Sequence, residues 1–344
     1  MVAPRLFDAH LDLAYLAENG RDLSRDRGEC GGPHPPAAVT FPALRAGGVR
    51  ACLATIFTEA GGDDAVAYPP GDGELAHAAG LRQLRRYERW GGEGGAGGAG
   101  LVRGLHSTGD GALRVGILME CADPIRTAGE VEWWAGRGVI AVGMAWARGS
   151  RYATGNAPES GESGVGLTDA GRDLVREMDR RGVAHDVSHL SDRALEDLLS
   201  LTGGRVMASH SNCRALLGGG GDPRLLPRHL SDEMIREIAR RGGVIGLNLY
   251  ARFLRAGLSE TERPTLDDAV AHVERVCELV GHRRAVGLGS DLDGGFSAER
   301  LPVGIDSAAD LPRLLGALAE RGWPPDDVAG FAWGNWARFW GLEG

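Results

Sequence analysis

Eight short apolar runs recur along this chain, at 6–13, 49–57, 113–120, 139–146, 183–189, 205–210, 243–248 and 285–291. Between and after them lie segments with helical spacing, near 74–90, 168–181, 191–200, 231–241, 265–281, 307–321 and 325–340. Runs of four to eight apolar residues bounded by turn residues are the signature of buried strands. Their alternation with helices predicts a parallel sheet built from crossover units. Eight such units in 344 residues predict one α/β domain spanning 1–344, a (β/α)₈ TIM barrel. The rival architecture, a doubly wound sheet, normally has a Gly-rich phosphate loop after an early strand. Here the first run ends instead in Ala9-His10-Leu11-Asp12. Thr168 and Ser231 stand where helix N-caps are needed.

Between the periodic segments, residues 20–48 are polar and rich in Pro and Gly, and are expected to form a long loop over the barrel mouth. The glycine tract 91–100 and the shorter one at 218–221 are expected to be flexible links. A net charge of −9 without a basic run argues against nucleic acid or an anionic membrane as partner. No apolar run approaches the roughly 20 residues that cross a bilayer, and no export leader is visible. The five cysteines are scattered and odd in number, as expected for reduced thiols of a cytoplasmic protein.

Barrel enzymes place their chemistry at the C-terminal ends of the strands. The first run carries His10 and Asp12, and side chains two apart on a strand share a face. The third run ends in Glu120, the fifth in His189, the sixth in His210 and the eighth in Asp291. Three imidazoles and two carboxylates from separate strands are enough donors for a pair of divalent ions. There is no lysine, since all 38 basic residues are arginine. That excludes Schiff-base chemistry and the P-loop lysine, and leaves Asp or Glu as the only candidate bridge between two metals. Glu120 is therefore the expected bridge, with His10 and Asp12 on one ion and His189 and His210 on the other. Nitrogen and oxygen donors suit two Zn²⁺, with Mn²⁺, Co²⁺ or Fe²⁺ as substitutes. Such a pair, about 3.5 Å apart, acidifies a shared water and clamps a tetrahedral intermediate. Asp291 would hold that water and pass its proton to the leaving amine. His34, His77, His106, His272 and His282 fall in loops or helices and are expected at the surface. His185 faces away from Asp186 on its strand, toward the core or behind the ligands.

The ordered motifs resemble the membrane dipeptidase (renal dipeptidase) family of zinc peptidases over nearly the whole chain. They run from Asp8-Ala-His-Leu-Asp12 through Met119-Glu-Cys-Ala-Asp-Pro124, Asp186-Val-Ser-His189 and Ala208-Ser-His-Ser-Asn212. Arg228-His-Leu-Ser-Asp-Glu233, Gly289-Ser-Asp-Leu-Asp-Gly294 and Gly334-Asn-Trp-Ala-Arg-Phe339 complete the set. The resemblance implies a two-zinc barrel that cleaves the amide of a dipeptide with metal-activated hydroxide, tolerates a D-residue on the C-terminal side, and often dimerises. By position, His10 and Asp12 match the ligands of one zinc, His189 and His210 those of the other, Glu120 the bridge and Asp291 the acid/base. Arg228 matches the arginine that forks onto the substrate carboxylate.

One position departs from the family pattern. Trp146 stands where the family has a substrate-binding histidine after the fourth strand, and an indole cannot titrate near neutrality. Arg148, Arg151 and Tyr152 are nearby candidates for a replacement donor, and Asn248 and Tyr250 for pocket walls. Two rivals to a dipeptidase follow: an amidohydrolase of another small amide, such as an N-acyl amino acid or lactam, and a metal-binding homologue impaired by Trp146.

Overall fold

The computed structural model describes residues 5–91, 101–107, 112–157, 165–218 and 223–342. All eight expected strands form: β1 (Leu6–Leu11), β2 (Val49–Phe57), β3 (Leu113–Glu120), β4 (Val139–Gly143), β5 (Ala184–Asp186), β6 (Val206–Met207), β7 (Ile245–Leu247) and β8 (Val286–Leu288). They pair in parallel in the order β7-β8-β1-β2-β3-β4-β5-β6. The Ala208–Ile245 bridge joins the two ends of that order, with the Gly246 amide donating to the Ala208 carbonyl at 2.8 Å. The sheet therefore closes on itself as a TIM barrel, which the doubly wound alternative could not do. A ninth short strand, Leu101–Arg103, pairs with β3 off this path.

Local chemistry starts the helices where the spacing predicts them. Thr168, Ser191, Ser231 and Thr265 each accept from the backbone N–H three residues on, which satisfies an amide the helix cannot. The 307–321 segment begins as a 3₁₀ turn at Ala308–Asp310 before the helix Pro312–Glu320. The 325–340 segment is broken by a π-helical turn, Gly330–Gly334. The loop expected over 20–48 ends in a short helix, Phe41–Ala46, and is tied to the C-terminal side of the barrel by Asp293. Asp293 pairs with the buried Arg21 and accepts the amides of Ala38 and Val39. Residues 92–100 and 219–221, which hold nearly all of the expected glycine links, lie outside the described residues.

Two apolar layers hold the barrel. The larger packs strand residues such as Val115, Ile117 and Val206 against helix residues Leu174, Leu195, Ile235, Val270 and Leu314. The smaller joins Phe7, Ala9, Leu53, Leu118, Ala141, Ala184 and Met207 to Trp336 and Trp340 of the last helix. A cluster that touches six strands and, among the surrounding helices, only the last one lies inside the closed sheet. Trp336 stacks on Phe7 near the start of β1 and donates its indole N–H to the Leu288 carbonyl at 2.9 Å. The N-terminal end of the barrel is thus plugged by aromatic side chains.

Candidate metal centre

The opposite end is polar and buried. β1 ends at Leu11, one residue earlier than the sequence spacing implies for an Asp12 on the strand. Its pairing with β2 advances three residues on β1 (Asp8 to Leu11) for two on β2 (Cys52 to Ala54). That extra residue is a bulge, which re-aims side chains at a barrel rim. Asp12 becomes the N-cap of Leu13–Glu18, yet its side chain makes no capping bond. It accepts from the Thr55 hydroxyl and lies with Oδ1 3.8 Å from His10 Nε2. His10 and Asp12 converge, but through a bulge and a helix start rather than by strand alternation.

Glu120 stands between two groups of donors. Its Oε2 lies 3.3 Å from His10 Nε2, while its Oε1 lies 3.0 Å from His189 Nε2 and 3.6 Å from His210 Nε2. Of the three donor clusters tight enough to hold a cation among the described residues, two flank Glu120: His10, Asp12 and Asp291 on one side, and Glu120, His189 and His210 on the other. The Nε2 atoms of His189 and His210 face each other at 3.0 Å, and buried His10 Nε2 has no hydrogen-bond partner. Lone-pair atoms gathered this closely fit a divalent ion on each side of Glu120.

The electrostatics point the same way. Burial, helped by neighbouring carboxylates including Glu120 and opposed by His10, leaves Asp291 raised to about 8 and Asp12 to about 6. Burial holds His189 down to about 4 and His210 well below its ordinary range, with Arg228 adding to both. His10 is the exception. Burial lowers it, but Glu120, Asp12 and Asp291 outweigh that and raise it to about 10. Burial also raises Glu120, and His10 and His189 reverse this to leave it far below a usual carboxylate. Neutral His189 and His210, and Asp12 and Asp291 reluctant to ionise, thus surround a charged His10–Glu120 pair.

The backbone is strained beside these groups. Cys121, which follows Glu120, has φ 70°, and Asp291 has φ 60°. Neither is glycine, so each occupies a sparsely populated conformation held by its surroundings. Asp291 is fixed by Asn248, whose side-chain N–H donates to Oδ2 at 2.8 Å. Asn248 is wholly buried and does not line the cavity, whereas Tyr250 does.

A cavity of about 670 Å³ opens onto these residues and is lined also by Tyr15, Phe57, Glu59, Asp64, Trp146, Arg228, Phe253 and Phe296. Trp146 packs edge-on to Phe57 at 5.3 Å and lies 6.0 Å from the His189 ring. None of the three candidate replacement donors lines it. The Tyr152 hydroxyl donates to the Ile125 carbonyl, Arg151 pairs with Asp123, and Arg148 faces Glu59. Arg228 is buried and donates to the His210 carbonyl at 2.8 Å and to Ser211 Oγ at 3.3 Å. Its Nε has no partner. His185 belongs to the core, bonded to Asp179 at 2.7 Å. His272, expected at the surface, is buried between the Cys213 amide and the Leu254 carbonyl, because its helix turns that face inward. Thr55, Asp186 and Ser209 have no site signal in the sequence beyond a small polar residue inside an otherwise apolar strand end, whereas Asn248, expected in the pocket wall, instead holds Asp291.

A closed parallel barrel with this constellation at its C-terminal mouth has the build of a metal-dependent hydrolase. The model of the membrane dipeptidase family (peptidase family M19) matches residues 1–343. The chain belongs to that family. An uncharacterized protein in the pqqA 5' region of Klebsiella pneumoniae is 34% identical over 205 residues, 58% of this chain and 71% of that protein. Dipeptidase aclJ of Aspergillus oryzae is 32% identical over 192 residues, 56% of this chain but only 42% of that longer protein. The crystal structure of a Rhodobacter sphaeroides metallo peptidase, liganded with a phosphinate mimic of L-Ala-D-Ala, shares the fold with TM-score 0.79. It is 23% identical and is matched over 98% of both chains. No described helix is long and apolar enough to cross a membrane.

Proposed function

We propose that this chain, acting as a single barrel unit, is a two-zinc dipeptidase that hydrolyses the amide of a free dipeptide. The observation that carries the reading is the division of Glu120, whose two oxygens face separate donor groups. In this reading His10 and Asp12 would hold one ion, His189 and His210 the other, and Glu120 would bridge them. When bound, such a pair supplies an activated water and a Lewis acid for the scissile carbonyl. Mn²⁺, Co²⁺ or Fe²⁺ would satisfy the same donors.

The chain's own residues do the rest. Asp291, raised toward neutrality by burial and steadied by Asn248, takes a proton from the attacking water and returns it to the leaving amine. The unpartnered Nε of buried Arg228 favours a substrate anion, and a dipeptide carboxylate would meet that guanidinium two-pronged. Asp64 and Glu59, which also line the cavity, suit a free amine, and so favour a dipeptide over an N-acyl amino acid or lactam. Trp146, Phe57 and Tyr250 supply apolar walls. The L-Ala-D-Ala mimic in the Rhodobacter sphaeroides relative supports including a D-residue on the C-terminal side. Five cysteines, all free, suit a reducing compartment such as the cytoplasm.

A panel of dipeptides with L- and D-residues at the C-terminal side, assayed with Zn²⁺ against their N-acetyl counterparts, tests this. Turnover confined to substrates with a free amine is expected. A zinc-loaded chain inactive on every dipeptide, or one that prefers the N-acyl forms, refutes it.

A further inference from the structure

We infer that the Ser209 hydroxyl is a positioning group shared by both halves of the proposed two-metal site, fixing the ring orientation and tautomer of His10 and His210 together. The inference rests on the functional reading above. Ser209 Oγ donates to Asp186 Oδ2 at 2.6 Å, which uses its single hydrogen. It lies 2.8 Å from His210 Nδ1 and 3.1 Å from His10 Nδ1. With its hydrogen committed, the oxygen has only its two lone pairs left, and it can meet both imidazoles only as acceptor. Each ring must then carry a proton on Nδ1, which leaves Nε2 as the nitrogen that an ion would take in the metal-loaded site. Those are the nitrogens that face opposite oxygens of Glu120.

His10, Asp186 and His210 are themselves close enough together to suggest a third cation site. The hydroxyl of Ser209 already stands among all three, so the group is a hydrogen-bond network rather than a vacancy. Asp186 is held from other directions too, its Oδ1 accepting from the Ser209 amide at 2.8 Å and from Ser188 Oγ at 2.8 Å. The seat of Ser209 is built just as closely. A Cβ on Gly246 or Gly289 would come within 1.9 or 1.8 Å of the Ser209 carbonyl oxygen, so glycine at both positions lets three strand ends close around it. The two rings that share the hydroxyl lie with centroids 3.6 Å apart, tilted by 32°, although His10 and Ser209 are 199 positions apart in the chain. His189 makes no contact with this hydroxyl, and its Nδ1 has no partner.

A group oriented this way loses metal affinity by about 10- to 100-fold when its outer partner is removed. One hydroxyl serving a histidine on each side of Glu120 makes that loss appear at both ions at once. Zinc affinity, read without substrate by competition with a chromophoric chelator, tests this on wild type, Ser209→Ala and Asp186→Asn. Wild type should take up two equivalents. Ser209→Ala should lose about 10- to 100-fold at both steps, while its metal-free form melts close to wild type. Asp186→Asn, which keeps the side-chain volume and the serine, should shift both steps in the same direction, and it carries the test if Ser209→Ala does not fold. In the zinc-loaded protein, imidazole nitrogen shifts should show a proton on Nδ1 of both rings in wild type. Variants that bind both ions as tightly as wild type, or that lose only one, overturn the inference and leave the dipeptidase reading standing. A wild-type chain that takes up no zinc overturns both.

Discussion

The two ends of this barrel are made by the same eight strands and are chemically opposite. At the N-terminal end, Phe7, Leu53, Met207 and Trp336 fill the space with apolar contacts, and the Trp336 indole N–H has its acceptor although that of Trp340 does not. At the C-terminal end, three carboxylates, three imidazoles and a guanidinium are buried together, with unpartnered nitrogens and left-handed backbone at Asp291 and Cys121. One end gains stability from burial. The other spends it, since buried polar groups without partners each cost on the order of 1–3 kcal/mol. A fold tolerates that cost where ligands complete the site. Substitutions at the mouth should therefore damage function and spare the fold, and substitutions at the plug should do the reverse.

The largest effect sharpens this contrast. Glu120→Gln should release both ions and lower kcat/KM on a good dipeptide by at least about 10³-fold, about 4 kcal/mol. The melting temperature of the metal-free form should move by no more than about 4 °C. Retention of both ions, or collapse of the fold, would break the comparison. At the other end, Trp336→Ala should cost about 3–5 kcal/mol of stability by opening a cavity under Phe7. At low temperature it should still bind the full complement of metal, which denaturant melts and elemental analysis together would show.

Arg228→Met separates the two currencies in one residue. Losing a charge-assisted contact to a substrate carboxylate should raise KM about 10- to 100-fold, about 1.5–3 kcal/mol. Removing a buried charge whose Nε has no partner among the described residues should raise the melting temperature. Unchanged kinetics would remove Arg228 from the site.

The smallest effect lies outside both ends, at Asp179. Burial raises this carboxyl, but donors from His185 and Thr202 at 2.7 Å and from the Gly203 amide at 3.0 Å reverse that and bring it down to about 2. Its folded value is below its unfolded value of about 3.9, so the stability it contributes is present above about pH 4 and is lost as pH falls through about 2. Urea midpoints of wild type should fall over that window. Those of Asp179→Asn should be lower at neutral pH and flatter between pH 4 and 2.

Much of this was legible in the chain because it is local. Strand runs, helix spacing and the caps at Thr168 and Ser231 depend on a few neighbouring residues, and the structure forms them there. The mouth residues were legible for a related reason, since a polar group closing an apolar run is conspicuous. Their mutual arrangement was not. Asp12 meets His10 through a bulge, and Thr55 and Asn248 reach Asp12 and Asp291 across 43 positions each, distances set by strand register rather than by any local pattern. His272 was misjudged because one helix turn separates an exposed face from a buried one.

The proposed division of Glu120 between two ions is most directly tested by counting and locating metal in crystals of the zinc-loaded protein. Two anomalous peaks per chain are expected, one beside Oε2 with His10 and Asp12, the other beside Oε1 with His189 and His210. A single peak, or none at saturating zinc, would contradict the account.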